Sequence, residues 1–233
     1  MTPTVPVCTV RQWPVPAGRV VARSTAAAAG DFRVDGDARA LARRRVALAP
    51  GPWTWLRQVH GADVIEVAEP GEGAGRSADA AVTVTPGCVL AVTTADCAPL
   101  VLVAEAGLAV VHAGWRGAEA GVIAAAAGGL ARLGAGAPVA SWLGPCIGPA
   151  SYEFGEEPLG RLVDRFGSAV AARTPSGRPA LDLRAVVRAA CREAGWPVPS
   201  EPPCTSDPRW FSHRTRGDTG RQATVAWLEA APA

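Results

Sequence analysis

The chain contains no lysine. All 23 of its basic residues are arginine, set against 21 acidic ones, and the formal net charge is +2. A balance this close to neutral gives no reason to expect a nucleic acid or another polyanion as the main partner. Without lysine there is also no P-loop, and the glycine-rich stretch 70–78 lacks the spacing of a dinucleotide fingerprint. No window approaches the roughly 18 uninterrupted apolar residues of a membrane-crossing helix. The Pro-broken N-terminal stretch has neither an apolar run of signal-peptide length nor a cleavage pattern. Six cysteines, at 8, 88, 97, 146, 191 and 204, form no CxxC pair. Together these absences point to a cytoplasmic protein with reduced thiols and no membrane partner. Alanine is abundant, which reads as a bias of the source genome and makes Ala-rich stretches less informative.

What remains is ample for a core. Hydrophobic residues make up 48% of 233 positions, enough for one compact domain spanning 1–233. Residues 1–24 read as Pro-rich and irregular, with a strand at Arg19–Ala22. Helical patterns cover 36–48, 117–133, 156–167 and 182–195, the last with Asp182 as N-cap and Gly195 beyond its end. Strands are expected at 53–61 and 62–69, on both sides of the Pro-Gly turn at 86–87, through the hairpin-like "PLVLVAEAGLAVVHAG", at "VASWLGP" and at "RQATVAWLEA". The basic run at 42–45 is expected on a solvated helix face. Strands and helices interspersed without a repeat or linker define an α/β domain with a mixed β-sheet flanked by helices.

Only three histidines occur, and two of them end expected strands just before a turn. His60 closes "WLRQV" and precedes Gly61; His112 closes "LAVV" and precedes Gly114; Cys97 follows "VLAVTTAD" and precedes Pro99 by two. Each has an ordinary structural reading, a hydrogen-bonded core imidazole or a small buried thiol. Strand-to-turn junctions also converge at one edge of a sheet, where sites are built. Two imidazoles and a thiolate suit zinc, and three protein ligands leave a fourth position open, the catalytic pattern. Asp96 is placed either to orient a histidine or move a proton, or to cap its turn. In "AGWRG", backbone N–H groups and Arg116 can meet an anion. Arg57 falls on the strand face opposite His60, so a structural salt bridge is its default. The tail 204–223 mixes aromatics with Arg209, Arg214 and His213, and can stack on a planar substrate or remain a plain basic loop.

Five motifs in order, "RQVHGADV", "TTADCAPL", "VHAGWRG", "GPCIGPASYEFGEE" and "CTSDPRWFSHR…GRQATVAWL", resemble the YfiH-type laccase-domain family across residues 53–229. Its members are also described as purine nucleoside phosphorylases and as peptidoglycan editing factors. The resemblance implies a single α/β domain related to bacterial toxin deamidases. It implies zinc, with copper as the other candidate metal, on His60, Cys97 and His112. The implied activities are phosphorolysis of adenosine, inosine and methylthioadenosine with phosphate, and deamination of adenosine. Deamination needs a proton carrier, for which Asp96 substitutes for the Glu of an H-x-E motif that is missing here. Phosphate needs a cation, and Arg57, Arg116 and Arg214 are the candidates. Two departures stand out: "VARSTAAAAGDF" replaces the family's N-terminal stretch, and Cys146 occupies a place where the family carries no cysteine, so it is not taken as a site residue. With three histidines in all, no second, histidine-rich copper cluster can be built for a polyphenol oxidase. Two further readings keep the same residues: an amidase or hydrolase on peptidoglycan precursors, with Cys97 as nucleophile and His112 as base if no metal binds, and a non-enzymatic zinc-stabilised binding module.

Overall fold

A computed structural model describes residues 7–231. Its strands form not one sheet but two, stacked face to face. The first sheet has the order β1 (Val7–Val15), β2 (Gly18–Thr25), β12 (Gln222–Ala230), β6 (Val89–Thr94), β3 (Trp53–Trp55). The second runs β4 (Val64–Glu66), β5 (Ala80–Thr83), β8 (Gly107–Ala113), β7 (Ala98–Ala104), β9 (Pro138–Leu143). Each sheet is mixed, because β3 pairs β6 in parallel and β4 pairs β5 in parallel while the other ladders are antiparallel. A short ladder of β10 (Ala171–Arg173) and β11 (Pro179–Leu181) lies apart from both.

Period-two alternation sorts each strand between two cores. Val20, Leu90, Val92, Val101, Val103, Leu108, Val110, Ala226 and Leu228 point between the sheets. Leu100, Leu102, Ala109 and Val111 point the other way, onto α2 (Trp115–Glu119), α3 (Val122–Arg132), α4 (Glu156–Phe166) and α5 (Leu183–Glu193). On the far side, Val21, Val89, Ala91, Val225 and Trp227 pack under α1 (Ala38–Leu48) with Leu41, Leu48, Phe32 and Trp53. The result is four layers, helix, sheet, sheet, helices. Fully burying one such Val or Leu side chain contributes about 1.5–3 kcal/mol, so strands with two apolar faces hold both junctions. This is the expected α/β domain with helices flanking mixed strands, except that the strands divide into a sandwich.

Local expectations fared unevenly. α1 starts at Asp37, whose carboxylate accepts from the N–H groups of Arg39 and Ala40, and α5 starts at Asp182 in the same way, with Arg184 and Ala185. The helix expected over 117–133 is broken at Ala120–Gly121, where Gly121 takes a left-handed φ of 90°. From Val7 to Thr25 the N-terminal stretch is a long hairpin rather than irregular chain, and residues 1–6 of that expectation lie outside the described residues; Pro14 is tolerated because β1 is an edge strand. The basic run is only partly solvated: Arg45 lies over the rings of Trp53 and Trp55, and Arg44 donates to the carbonyl of Asp31. Among the described residues no helix is long and apolar enough to cross a membrane.

Candidate metal centre

The chain passes from the first sheet to the second twice at one end of the sandwich. One crossing joins β3 to β4 and carries His60; the other joins β6 to β7 and carries Cys97. His112 sits near the end of β8 and is paired in register with Pro99 of β7, two residues after Cys97. The donor atoms of these three side chains lie within 4.8 Å of one another. Both crossings are tight enough to force unusual backbone. His60, with φ 60°, and Asp96, with φ 94°, are the only non-glycine residues with positive φ among those described. Such conformations cost about 1–3 kcal/mol each and persist where the surroundings impose them.

Asp79 imposes one of them. It is fully buried and stands immediately before β5. Its carboxylate accepts from the backbone N–H groups of Val59 at 3.2 Å, His60 at 2.9 Å and Gly61 at 2.7 Å. The same carboxylate lies 2.7 Å from Nδ1 of His112, and its carbonyl accepts from the His112 N–H at 2.7 Å. One aspartate therefore shapes the His60 turn and orients the His112 ring. A carboxylate at Nδ1 keeps that nitrogen protonated and leaves Nε2 for a metal. Burial works against the ionised form of Asp79, yet its bonds from His112, Gly61 and Val59 hold its pKa below the ordinary carboxylate value.

The donors are electrostatically coupled. Burial disfavours a thiolate at Cys97, but the charge and hydrogen bond of His112, with those of His60, outweigh it and lower the thiol to about 6. Burial likewise opposes charge on His112, while Cys97 and Asp79 raise it to about 9. A thiolate and an imidazole pinned by a carboxylate are the forms a borderline-soft cation needs. Space is reserved for them. A Cβ on Gly114 would come within 2.7 Å of His60 Nδ1 and 3.3 Å of Cys97 Sγ, and one on Gly117 within 2.8 Å of the Gly61 carbonyl. The residues thus fit a single metal ion; which metal they hold is taken up below.

Asp96 is placed differently from either role first considered for it beside a histidine. Its carboxylate accepts from Thr205 Oγ1 at 2.6 Å, Ser212 Oγ at 2.7 Å and the N–H of Arg214 at 2.7 Å. Its carbonyl accepts from the N–H of Ile147. It ties the 205–214 loop down behind Cys97. Ser212 in turn caps α6 (His213–Arg216), so the loop presents its first helical residue, His213, towards the donors.

A cleft of about 350 Å³ opens over the three donors. Arg33, Arg57, Arg221 and His213 line it with Gln58, Thr93 and Thr94, and no carboxylate does. Arg57 is not in the salt bridge expected of it: no carboxylate lies within ion-pair reach among the described residues. The strand ends at Trp55, so alternation no longer governs which way Arg57 faces. Gln58 is bound on both sides to the backbone of Thr93, at 2.8 and 2.9 Å, and fastens the His60 segment to β6. Arg116 and Arg214 lie outside the cleft lining. Arg116 covers the Trp115 ring, and Arg214 covers the Tyr152 ring while donating to the Glu153 carbonyl. Sequence reasoning missed Asp79, Arg33 and Arg221. Only Asp79 left a signal, an acid placed directly before the apolar start of a strand, Ala80 to Val82.

The fold and this constellation have counterparts. A family described as multi-copper polyphenol oxidoreductase laccase matches residues 24–229, and the chain belongs to that family. Among its relatives, a protein of Xylella fastidiosa named purine nucleoside phosphorylase is 41% identical over 75% of this chain and 71% of its own length. One of the same name from Pseudomonas aeruginosa is 36% identical over 93% of this chain and 96% of its own. The crystal structure of YlmD from Geobacillus stearothermophilus superposes with a TM-score of 0.80 at 26% identity, covering 97% of this chain and all of that one.

Proposed function

We propose that the chain is a metal-dependent purine nucleoside phosphorylase acting at the His60–Cys97–His112 cleft. One observation carries the reading: a cleft at a two-histidine, one-cysteine donor set is lined by three arginines, of which Arg57 has no acidic partner, and by no carboxylate. That lining suits a bound phosphate. The names of the relatives support purine nucleosides as the other substrate.

His60, Cys97 and His112 would hold the ion, and zinc is the metal their chemistry suits best, with copper the alternative. When bound, such an ion supplies Lewis-acid polarisation and charge stabilisation. Arg57, helped by Arg33 and Arg221, holds the phosphate against the sugar. A phosphate oxygen forms the bond to the anomeric carbon as the bond to the purine nitrogen breaks, and the base leaves with a proton. His213, exposed at the cleft edge, is the group placed to hand that proton over. Asp79 keeps the donor set in shape; Asp96 braces the loop that carries His213.

Phosphorolysis of adenosine, inosine and methylthioadenosine needs no carboxylate in the cleft. Deamination of adenosine does, and Asp96, the candidate for it, has its carboxylate engaged by three donors. We therefore rank phosphorolysis first. A multi-copper oxidase is not favoured, since only His213 remains once His60 and His112 are assigned. Nothing in the cleft favours peptidoglycan precursors.

The test is direct. Metal-loaded protein is incubated with inosine or adenosine, with and without phosphate, and products are separated. Free base and ribose 1-phosphate in equal amounts, formed only with phosphate, are expected. Their absence in fully metal-loaded protein overturns the proposal, and inosine from adenosine without phosphate makes deamination the primary reaction.

A further inference from the structure

Two further cysteines meet away from the metal donors. Cys146 and Cys204 face each other across an isolated parallel β-bridge. The bridge is closed by Cys146 N–H to the Pro203 carbonyl and Thr205 N–H to the Cys146 carbonyl, both 3.2 Å. Strands joined this way lie about 4.7–4.9 Å apart, and bridge partners carry their side chains on the same face. That separation falls inside the window of about 4.4–6.8 Å between Cα atoms that a disulfide spans. Both thiols are free.

The two sulfurs have unequal surroundings. Cys204 is half-buried, and its Sγ accepts from the N–H of Gly148 at 3.2 Å and from Ser206 Oγ at 3.1 Å. Cys146 has no exposed surface. The Arg184 guanidinium stands by both: it donates to the Cys146 carbonyl, and a Cβ on Gly148 would touch both Arg184 Nη2, at 3.0 Å, and Cys204 Sγ, at 3.3 Å. Arg184 is itself held by Glu201, which also takes Arg188. Burial pushes the Cys146 thiol up to about 12, against the pull of Arg184. Burial also opposes a thiolate at Cys204, but Ser206, Gly148 and Arg184 lower it on balance.

We propose that Cys204 and Cys146 are a peroxide-reactive dithiol that closes reversibly to a disulfide. The Cys204 thiolate attacks one peroxide oxygen; the O–O bond breaks, hydroxide leaves, and Cys204 becomes a sulfenic acid. The Cys146 sulfur then attacks the Cys204 sulfur. The S–O bond breaks, and the Cys146 thiol proton leaves with that hydroxide as water. The pair loses two electrons and the peroxide gains them. An arginine beside a partly exposed thiolate with a second thiol across a bridge is the arrangement such a step requires. The bond would join segment 144–148 to the loop that Asp96 ties down, since Ile147 and Thr205 both bond to Asp96. The inference does not depend on the substrate of the metal cleft, and its readout is thiol chemistry alone.

The full-length, metal-loaded protein is treated with one equivalent of hydrogen peroxide, alkylated under denaturing conditions and digested after arginine. We expect the peptides of Cys146 and Cys204 to be cross-linked within one chain, and a reductant to restore both thiols. Before oxidation, Cys204 should react with iodoacetamide about 10-fold or more faster than Cys88, Cys146 or Cys191. In Cys146→Ser, oxidation should stop at a sulfenic acid on Cys204 that dimedone traps. The wild-type cross-link map stands even if that variant fails to fold. Cys204 found as sulfinic acid beside a free Cys146, cross-links only between chains, or oxidation confined to Cys97 would each overturn the proposal.

Discussion

Two buried aspartates flank the donor set, and they do different things. Asp79 and Asp96 are 0% and 7% exposed, and each gathers loop N–H or O–H groups onto its carboxylate. Asp79 also reaches His112, and its N–H partners belong to the His60 turn, so it acts on two candidate donors at once. Asp96 is next to the third donor in sequence, yet its side chain turns away to the 205–214 loop. Adjacency along the chain is therefore a poor guide to which carboxylate contacts the candidate donors. Both residues lie in the bend between β6 and β7, where the left-handed φ of 94° at Asp96 sets the two side chains in different directions.

The comparison can be broken by experiment, and the largest effect comes first. Cys97→Ala or His112→Ala should remove the bound metal and at least about 10³-fold of any phosphorolysis, because the donor set then has two members. Metal analysis beside the nucleoside assay checks this, and retained metal with full activity would refute the assignment. Asp79→Asn should weaken metal affinity by about 10–100-fold, measured by chelator competition. Asp96→Asn should leave metal affinity unchanged and cost about 1–3 kcal/mol of stability, through donors left poorly paired. Equal effects of the two on metal affinity would erase the distinction.

Arg57→Gln should raise the KM for phosphate about 10-fold, with metal content and the KM for nucleoside little changed. An unchanged phosphate KM moves the phosphate elsewhere. A further effect is in pH. Without metal, His112 is raised to about 9 and must lose a proton to bind a cation, while Cys97 at about 6 is already a thiolate above that pH. Apparent metal affinity should therefore climb with pH across roughly 6 to 9 by up to about 10-fold per unit. The climb should level off above that range, and titration calorimetry in several buffers reads it. In Asp79→Asn, which loses one cause of the raised value, the plateau should begin at lower pH.

Much of this molecule was legible along the chain. The three donors each stand at a strand-to-turn junction, and the helices with Asp37 and Asp182 as caps follow local rules of capping and periodicity. The break at Gly121 and the hairpin through Pro14 were not legible, because abundant alanine blurs helix ends and an edge strand tolerates a proline that an inner one would reject. Arg33 and Arg221 join the cleft from segments almost two hundred residues apart, bound to each other's neighbourhood through Asp31, whose carboxylate accepts from the N–H groups of both.

The sequence alone determined the kinds of atoms available, two imidazoles and a thiol at turn positions, and arginine in place of any lysine. Tertiary structure decided that the strands split into two sheets, and hence that two crossings between those sheets deliver His60 and Cys97 to the end of β8. It also decided which aspartate faces a histidine. Sheet assignment rests on pairings such as Val20 with Leu228. Local propensity carries no information about contacts that distant, because their free energy comes from burying both faces of a strand at once.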